Sequence, residues 1–219
     1  MKSILCYGDS LSWGMNAATL GRHAHADLWP TVLGRRLGEG VVVVNASLGG
    51  RTTMFDDHAA ATDRNGVRLL PTVLGMHEPL DLVIFLLGTN DLKPFINGSA
   101  VGAAQGIKRL CEIVRTFPYG GGAAAPAVLI VAPPEPLDLG PNPRFPLLSP
   151  RSNEWSGLAP AYRQVARDVG AEFFDAAGVA TARDGGDGVH LDAANTRAIG
   201  EALAPVVARM LSLTEASAP

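Results

Sequence analysis

Ser10, in Gly8-Asp9-Ser10-Leu11 directly after an apolar run, could serve as a nucleophile. A serine hydroxyl is a weak nucleophile at neutral pH, so it needs a general base within hydrogen-bond reach, itself oriented by a third group. Asp187-Gly188-Val189-His190 offers both. In a tight turn, this spacing lets the Asp187 carboxylate accept from one imidazole nitrogen while the other points away, free to face Ser10. Acyl transfer through a serine also needs donors for the oxyanion of its tetrahedral intermediate. Glycine amides approach closely because no Cβ intervenes, which suits Gly50 at the end of Asn45-Ala46-Ser47-Leu48-Gly49-Gly50. Asn90, in Gly88-Thr89-Asn90-Asp91, carries a carboxamide that can donate. With the amide of Ser10, that makes three donors.

Each piece alone has a plainer reading. Gly8-Asp9-Ser10 reads equally as a turn, Asn90-Asp91 as a helix cap or Asx-turn, and Asp-x-x-His as a surface turn. Their order along the chain argues otherwise, because each follows an element that would deliver it to one place. Short apolar runs alternate with helical patterns, the signature of a parallel sheet wrapped by helices. The strands expected are Lys2 to Tyr7, Val41 to Asn45, Leu82 to Leu87, Val128 to Val131 and Glu172 to Phe174. Val83-Ile84-Phe85-Leu86-Leu87 does not alternate apolar with polar, so both sheet faces should be covered. Ile107, Leu110, Cys111, Val114 and Phe117 form a helical stripe, as do Ile199, Leu203, Val206, Val207 and Met210, where Pro205 is expected to kink or shorten the helix. Five strands with helices between them predict an α/β, flavodoxin-like five-stranded parallel sheet. In such a sheet every strand ends at the same edge, and ligands bind in the crevice there.

Four sequence blocks carry a further resemblance: Gly8-Asp9-Ser10-Leu11, Asn45 to Gly50, Gly88-Thr89-Asn90-Asp91 and Asp187-Gly188-Val189-His190. In content and order they resemble the blocks of the SGNH (GDSL) hydrolases, over nearly the whole chain. Ile4 to Gly14, Arg51-Thr52-Thr53 and Leu80 to Ile84 look like the bacterial arylesterase and acyltransferase branch. The resemblance implies a three-layer α/β/α SGNH hydrolase fold, with Ser10 as nucleophile, His190 as base and Asp187 as its partner. It implies an oxyanion hole from the amides of Ser10 and Gly50 and the side chain of Asn90. One position departs from the family pattern: the first glycine of the second block is Ser47 here. The expected activity is a serine esterase for short-chain acyl, acetyl-type and aryl esters, able to pass the acyl group to water or an alcohol. A thioesterase or lysophospholipase for longer chains, and a non-catalytic anion-binding flavodoxin-like module using Gly49 to Thr53, are the alternatives. No cofactor is called for.

Other chemistry is thinly supported. The Rossmann fingerprint is missing, since Gly38-Glu39-Gly40 precedes a strand and lacks the third glycine. His23 and His25 are read on one strand and Asp56-Asp57-His58 lacks a matching second cluster, and neither makes a metal site. His77 reads as a helix-end residue and Trp29 as packing. Trp13, beside the nucleophile turn, has two readings, a wall of the acyl pocket or a core filler. Tyr119 to Pro126 reads as a flexible connector.

Length and composition bound the rest. The chain has 219 residues, 47% hydrophobic and 18% charged, enough apolar material for one full core. One domain over residues 1–213 is expected, with a frayed tail at 214–219. Eighteen Lys and Arg against 21 Asp and Glu give a net charge of −3, scattered along the chain, so neither a nucleic-acid footprint nor a membrane anchor is expected. Two cysteines, Cys6 and Cys111, are too few for a disulfide framework; with no secretory signal at the N-terminus, a cytoplasmic setting follows as the expectation. Pro133 to Pro150 holds seven prolines among eighteen residues together with Leu137, Leu139, Phe145, Leu147 and Leu148. Apolar groups so concentrated predict a loop that covers the site or a partner subunit in a homo-oligomer.

Overall fold

Alternate residues of each strand serve opposite cores. In β1 (Lys2–Gly8), Leu5 and Tyr7 join one apolar cluster while Ile4 and Cys6 join a second on the other face. β5 (Leu82–Leu86) repeats the division, with Val83 and Phe85 on the first face and Leu82, Ile84 and Leu86 on the second. This is why its sequence reads as unbroken apolar residues. The computed structural model describes residues 1–137, 152–182 and 186–213, with backbone alone at 152–153. The expected covering loop from residue 138 on and the expected tail at 214–219 lie outside the described residues.

The sheet is completed by β4 (Val41–Asn45), β6 (Ala127–Ala132) and β7 (Glu172–Asp175), and its order is β4-β1-β5-β6-β7, all parallel. All five match the expected strands to within one residue at each end. A two-stranded ribbon, β2 (Met15–Asn16) with β3 (Gly21–Arg22), stands apart. On the first face lie α3 (Gly66–His77), α4 (Ala100–Thr116) and α5 (Ser152–Val169); α2 (Trp29–Leu37) and α6 (Ala193–Met210) cover the second. The result is a three-layer α/β/α fold. The chain runs from β1 outward to β4, then returns past β1 to β5. That reversal opens a crevice at the carboxyl ends of β1 and β5.

Pro205 does not shorten the helix, since α6 runs from Ala193 to Met210 with the proline inside it. A proline inside a helix costs about 3 kcal/mol, whereas burying Ile199, Leu203 and Val207 contributes roughly 1.5–3 kcal/mol each. Burial wins. Pro205 and Glu201, whose carbonyl loses its partner, both lie on the exposed face where water can serve. Pro71 in α3 and Pro160 in α5 are exposed in the same way.

Candidate active site

The nucleophile turn is shaped by the end of β1. A Cβ on Gly8 would fall on the Ser12 side chain and 3.0 Å from the Leu86 carbonyl, so only glycine fits there. The next residue, Asp9, is fully buried, and its Oδ1 accepts from the Leu11 amide at 2.9 Å. That bond caps the four-residue helix α1 (Ser10–Trp13), which ends at Gly14 in the left-handed region, φ 94°. Ser10 is thereby held half-exposed at the crevice floor.

Asp187 and His190 reach Ser10 from the loop before α6. Asp187 Oδ1 accepts from the amides of Val189 (2.9 Å) and His190 (2.8 Å), while Oδ2 lies 2.6 Å from His190 Nδ1. On the far side of the ring, Nε2 is 2.9 Å from Ser10 Oγ. A carboxylate can only accept, so in the neutral ring Nδ1 carries the proton and Nε2 is left to accept from the serine. Burial pushes the Asp187 pKa upward, but the His190 ring and the two backbone donors outweigh it and hold the carboxyl below its ordinary value. His23 Nε2 donates to the Leu191 carbonyl at 2.9 Å, steadying the residue after His190. Sequence placed His23 and His25 on one strand; instead β3 stops at Arg22 and the chain turns through a 3-10 segment, His25–Asp27.

Gly50 has φ 79°, a conformation that favours glycine, and among the described residues no protein group accepts from its amide. Asn90 opens the 3-10 turn after β5. Its Nδ2 donates to the Arg51 carbonyl at 3.2 Å and more distantly to Asp9 Oδ2 at 3.4 Å. Both bonds are longer than the usual 2.9–3.0 Å, so the donor is aimed but weakly engaged. The structure thus gathers Ser10, Asp187, His190, Gly50 and Asn90 at one end of the sheet. Trp13 is half-buried, lies 5.1 Å from the Arg22 guanidinium, and belongs to neither core cluster. Its core-filler reading falls away. Ser47 Oγ, at the position where the family pattern has glycine, is buried with no partner among the described residues. Also among the described residues, no three His, Cys, Asp or Glu are grouped to hold a metal ion.

Three buried charged residues beneath this floor escaped the sequence reading. Arg51 is 5% exposed, and Asp9 and Asp91 are fully buried. Asp91 takes the Thr53 amide on both oxygens (3.1 and 3.0 Å) and the Thr53 hydroxyl at 2.5 Å, tying the loop after Gly50 to the turn that carries Asn90. Burial pushes Asp91 up to about 7, against the Thr53 bonds, and Asp9 up to about 6, against the Leu11 amide and the nearby cationic groups. Both folded values exceed the unfolded value of about 3.9. The native state therefore binds more protons than the unfolded chain between pH 4 and 7, and in that window these two groups make stability fall as pH rises. Asp91→Asn should remove one such contribution, about 1.4 kcal/mol per pH unit at most. Urea unfolding at pH 5 and pH 8 would read it; an unchanged pH slope in the variant would show that Asp91 does not titrate in this range.

Elsewhere, His77 ends α3 as expected. Trp29 is buried and donates through Nε1 to Ser12 Oγ at 3.0 Å. Gly120–Gly122 forms a 3-10 turn whose first amide donates to Glu78 Oε2 at 2.9 Å. The expected flexible connector is therefore anchored at one point.

The GDSL-like lipase/acylhydrolase family matches residues 6–198. No curated protein sequence gives a significant match. Among solved structures, a carbohydrate acetylesterase family member from Sinorhizobium meliloti is 48% identical, with a TM-score of 0.93 over 97% of this chain and 100% of that one. Est24, a carbohydrate acetylesterase from the same organism, is 36% identical, with a TM-score of 0.88 over 96% and 100%. The inhibitor-bound aryl esterase of M. smegmatis is 37% identical, with a TM-score of 0.88 over 96% and 100%.

Proposed function

This chain belongs to the GDSL-like lipase/acylhydrolase family and is a carboxylic ester hydrolase; we propose that it works through an acyl-enzyme on Ser10 and favours short acyl esters. The observation that carries this reading is the unbroken relay from Asp187 Oδ2 through the imidazole of His190 to Ser10 Oγ, at 2.6 and 2.9 Å. Ser10 Oγ attacks the ester carbonyl as its proton passes to His190 Nε2, and Asp187 stabilises the imidazolium that results. The amides of Ser10 and Gly50 and the Asn90 carboxamide receive the oxyanion. The Asn90 proton engaged only distantly by Asp9 is the one free to turn toward it, while the Arg51 carbonyl keeps the other. Collapse of the intermediate expels the alcohol, which takes its proton from Nε2. Water, or an acceptor alcohol, then attacks the acyl-enzyme with His190 again as base.

The names of the related acetylesterases support a small acyl group and that of the aryl esterase an aromatic leaving group, and Trp13, three residues after Ser10, supplies one wall of the acyl pocket. Mass spectrometry after treatment with a fluorophosphonate should find a single adduct, on Ser10. Rates on aryl esters of increasing acyl length should be highest for acetate and fall steadily toward octanoate. An unmodified Ser10 would sink the acyl-enzyme, and equal rates on acetate and octanoate would sink the short-chain preference in favour of the longer-chain reading.

A further inference from the structure

We propose that Arg51 is a positioning residue that locks the Ser10 turn, the Gly50 loop and Asn90 into one rigid oxyanion-binding unit. The inference rests on the esterase reading above, because it concerns the donors that reading uses. The Arg51 side chain is 5% exposed, so it is withheld from substrate. Among the described residues it forms no ion pair with a carboxylate, and its Nε has no hydrogen-bond partner. An unpaired cation in the interior opposes folding, so its contacts should show what it does there.

Those contacts converge on the ends of two strands. A single atom, Nη1, donates to the Gly8 carbonyl at 2.9 Å and to the Ala46 carbonyl at 2.7 Å. Gly8 ends β1 and stands two residues before Ser10; Ala46 follows β4 and stands four residues before Gly50. The guanidinium thus staples the loop that carries one oxyanion donor to the strand that carries another. The Arg51 backbone completes the unit, since its amide donates to the Leu48 carbonyl (3.0 Å) and its own carbonyl receives Asn90 Nδ2 (3.2 Å). The Tyr7 ring lies 3.9 Å from the guanidinium carbon and fixes its plane, and the Tyr7 hydroxyl is tethered to the Gly66 carbonyl at 2.8 Å. Three donors from three loops must meet on one oxygen in the transition state, and a displacement of about 1 Å is enough to cost on the order of 10² in rate.

The test compares Arg51→Met, which removes both side-chain bonds, with Arg51→Lys, whose one ammonium can donate to both carbonyls just as Nη1 does. Active sites are titrated with a fluorophosphonate, and kcat on p-nitrophenyl acetate is expressed per titrated site. Arg51→Met should lower kcat by about 10² with KM within roughly twofold. Affinity for a trifluoromethyl ketone, which forms a tetrahedral oxyanion on the serine, should fall in parallel. Arg51→Lys should regain at least about 10-fold. A residue that served stability alone would change the number of titratable sites and the melting temperature, leaving kcat per site untouched. Wild-type kcat per site in Arg51→Met, or an Arg51→Lys enzyme no better than Arg51→Met, overturns the proposal; if Arg51→Met is insoluble, Arg51→Gln takes its place in the same comparison. A wild-type protein that fluorophosphonate leaves unmodified at Ser10 overturns the esterase mechanism instead, so the two failures are distinct.

Discussion

Ser10→Ala should lower kcat for p-nitrophenyl acetate by up to roughly 10⁶, and His190→Ala should cost about as much. The equality follows from the geometry: Ser10 Oγ and His190 Nε2 share one proton across 2.9 Å, and neither half of that transfer works without the other. The double variant should therefore lose little beyond either single one, in contrast to the multiplied losses expected of independent groups. Residual rate above water, about 10³-fold, should survive from the oxyanion donors and substrate binding alone. Ser10 is half-exposed and its hydroxyl is not part of the Asp9 cap, so Ser10→Ala should keep the wild-type fold by circular dichroism. Near-wild-type turnover by either folded single variant would remove that residue from the mechanism, and losses that multiply in the double variant would show that the two act separately.

β1, β4, β5 and β6 were legible because burial leaves a simple mark, an apolar run of four to six residues, while β7 shows only Phe173-Phe174; the loops at the strand ends were legible because glycine and polar residues interrupt the runs. From that pattern the five strands, their approximate bounds and the meeting of Ser10, Gly50, Asn90, Asp187 and His190 all follow. What stayed hidden depends on where a residue lies in space. Arginine is by default a surface residue, and nothing in Gly49-Gly50-Arg51-Thr52 says that this one turns inward beneath the nucleophile. Asp91 looked like a cap, yet its partner is Thr53, 38 residues away. Asp9 was the more readable of the three, since Asp-Ser-Leu opening a helix is a recognisable cap pattern. The shortening expected at Pro205 failed for a related reason: local propensity was set against the burial of α6 on the sheet, which the sequence window around the proline does not contain.

Asp187→Asn should lower kcat by about 10⁴ while leaving the nucleophile chemically intact. Among the described residues the native carboxylate accepts three bonds, two from the Val189 and His190 amides on Oδ1 and one from His190 Nδ1 on Oδ2. An asparagine has one accepting oxygen. If that oxygen keeps the two backbone amides, the side-chain NH2 faces Nδ1, and the ring must move its proton to Nε2 to receive it. Nε2 would then present N–H to Ser10 and could not take the serine proton. If the carboxamide instead turns its oxygen to Nδ1, its NH2 meets two backbone donors, and the loop before α6 loses the bonds that set its shape. Either way the base is disabled, by tautomer or by position. The rate of fluorophosphonate labelling at Ser10 should fall along with kcat, because both need the serine proton removed. The stability effect has its own pH signature: the depressed Asp187 pKa means that the carboxylate stabilises the fold above the unfolded value of about 3.9, and that this contribution is lost as pH falls through the lower folded value. The difference in melting temperature between wild type and Asp187→Asn should accordingly be widest near neutrality and shrink on acidification below pH 4. An Asp187→Asn enzyme with wild-type turnover and labelling rate would mean that His190 is held in its working tautomer without the carboxylate, against the 2.6 Å contact that defines the relay.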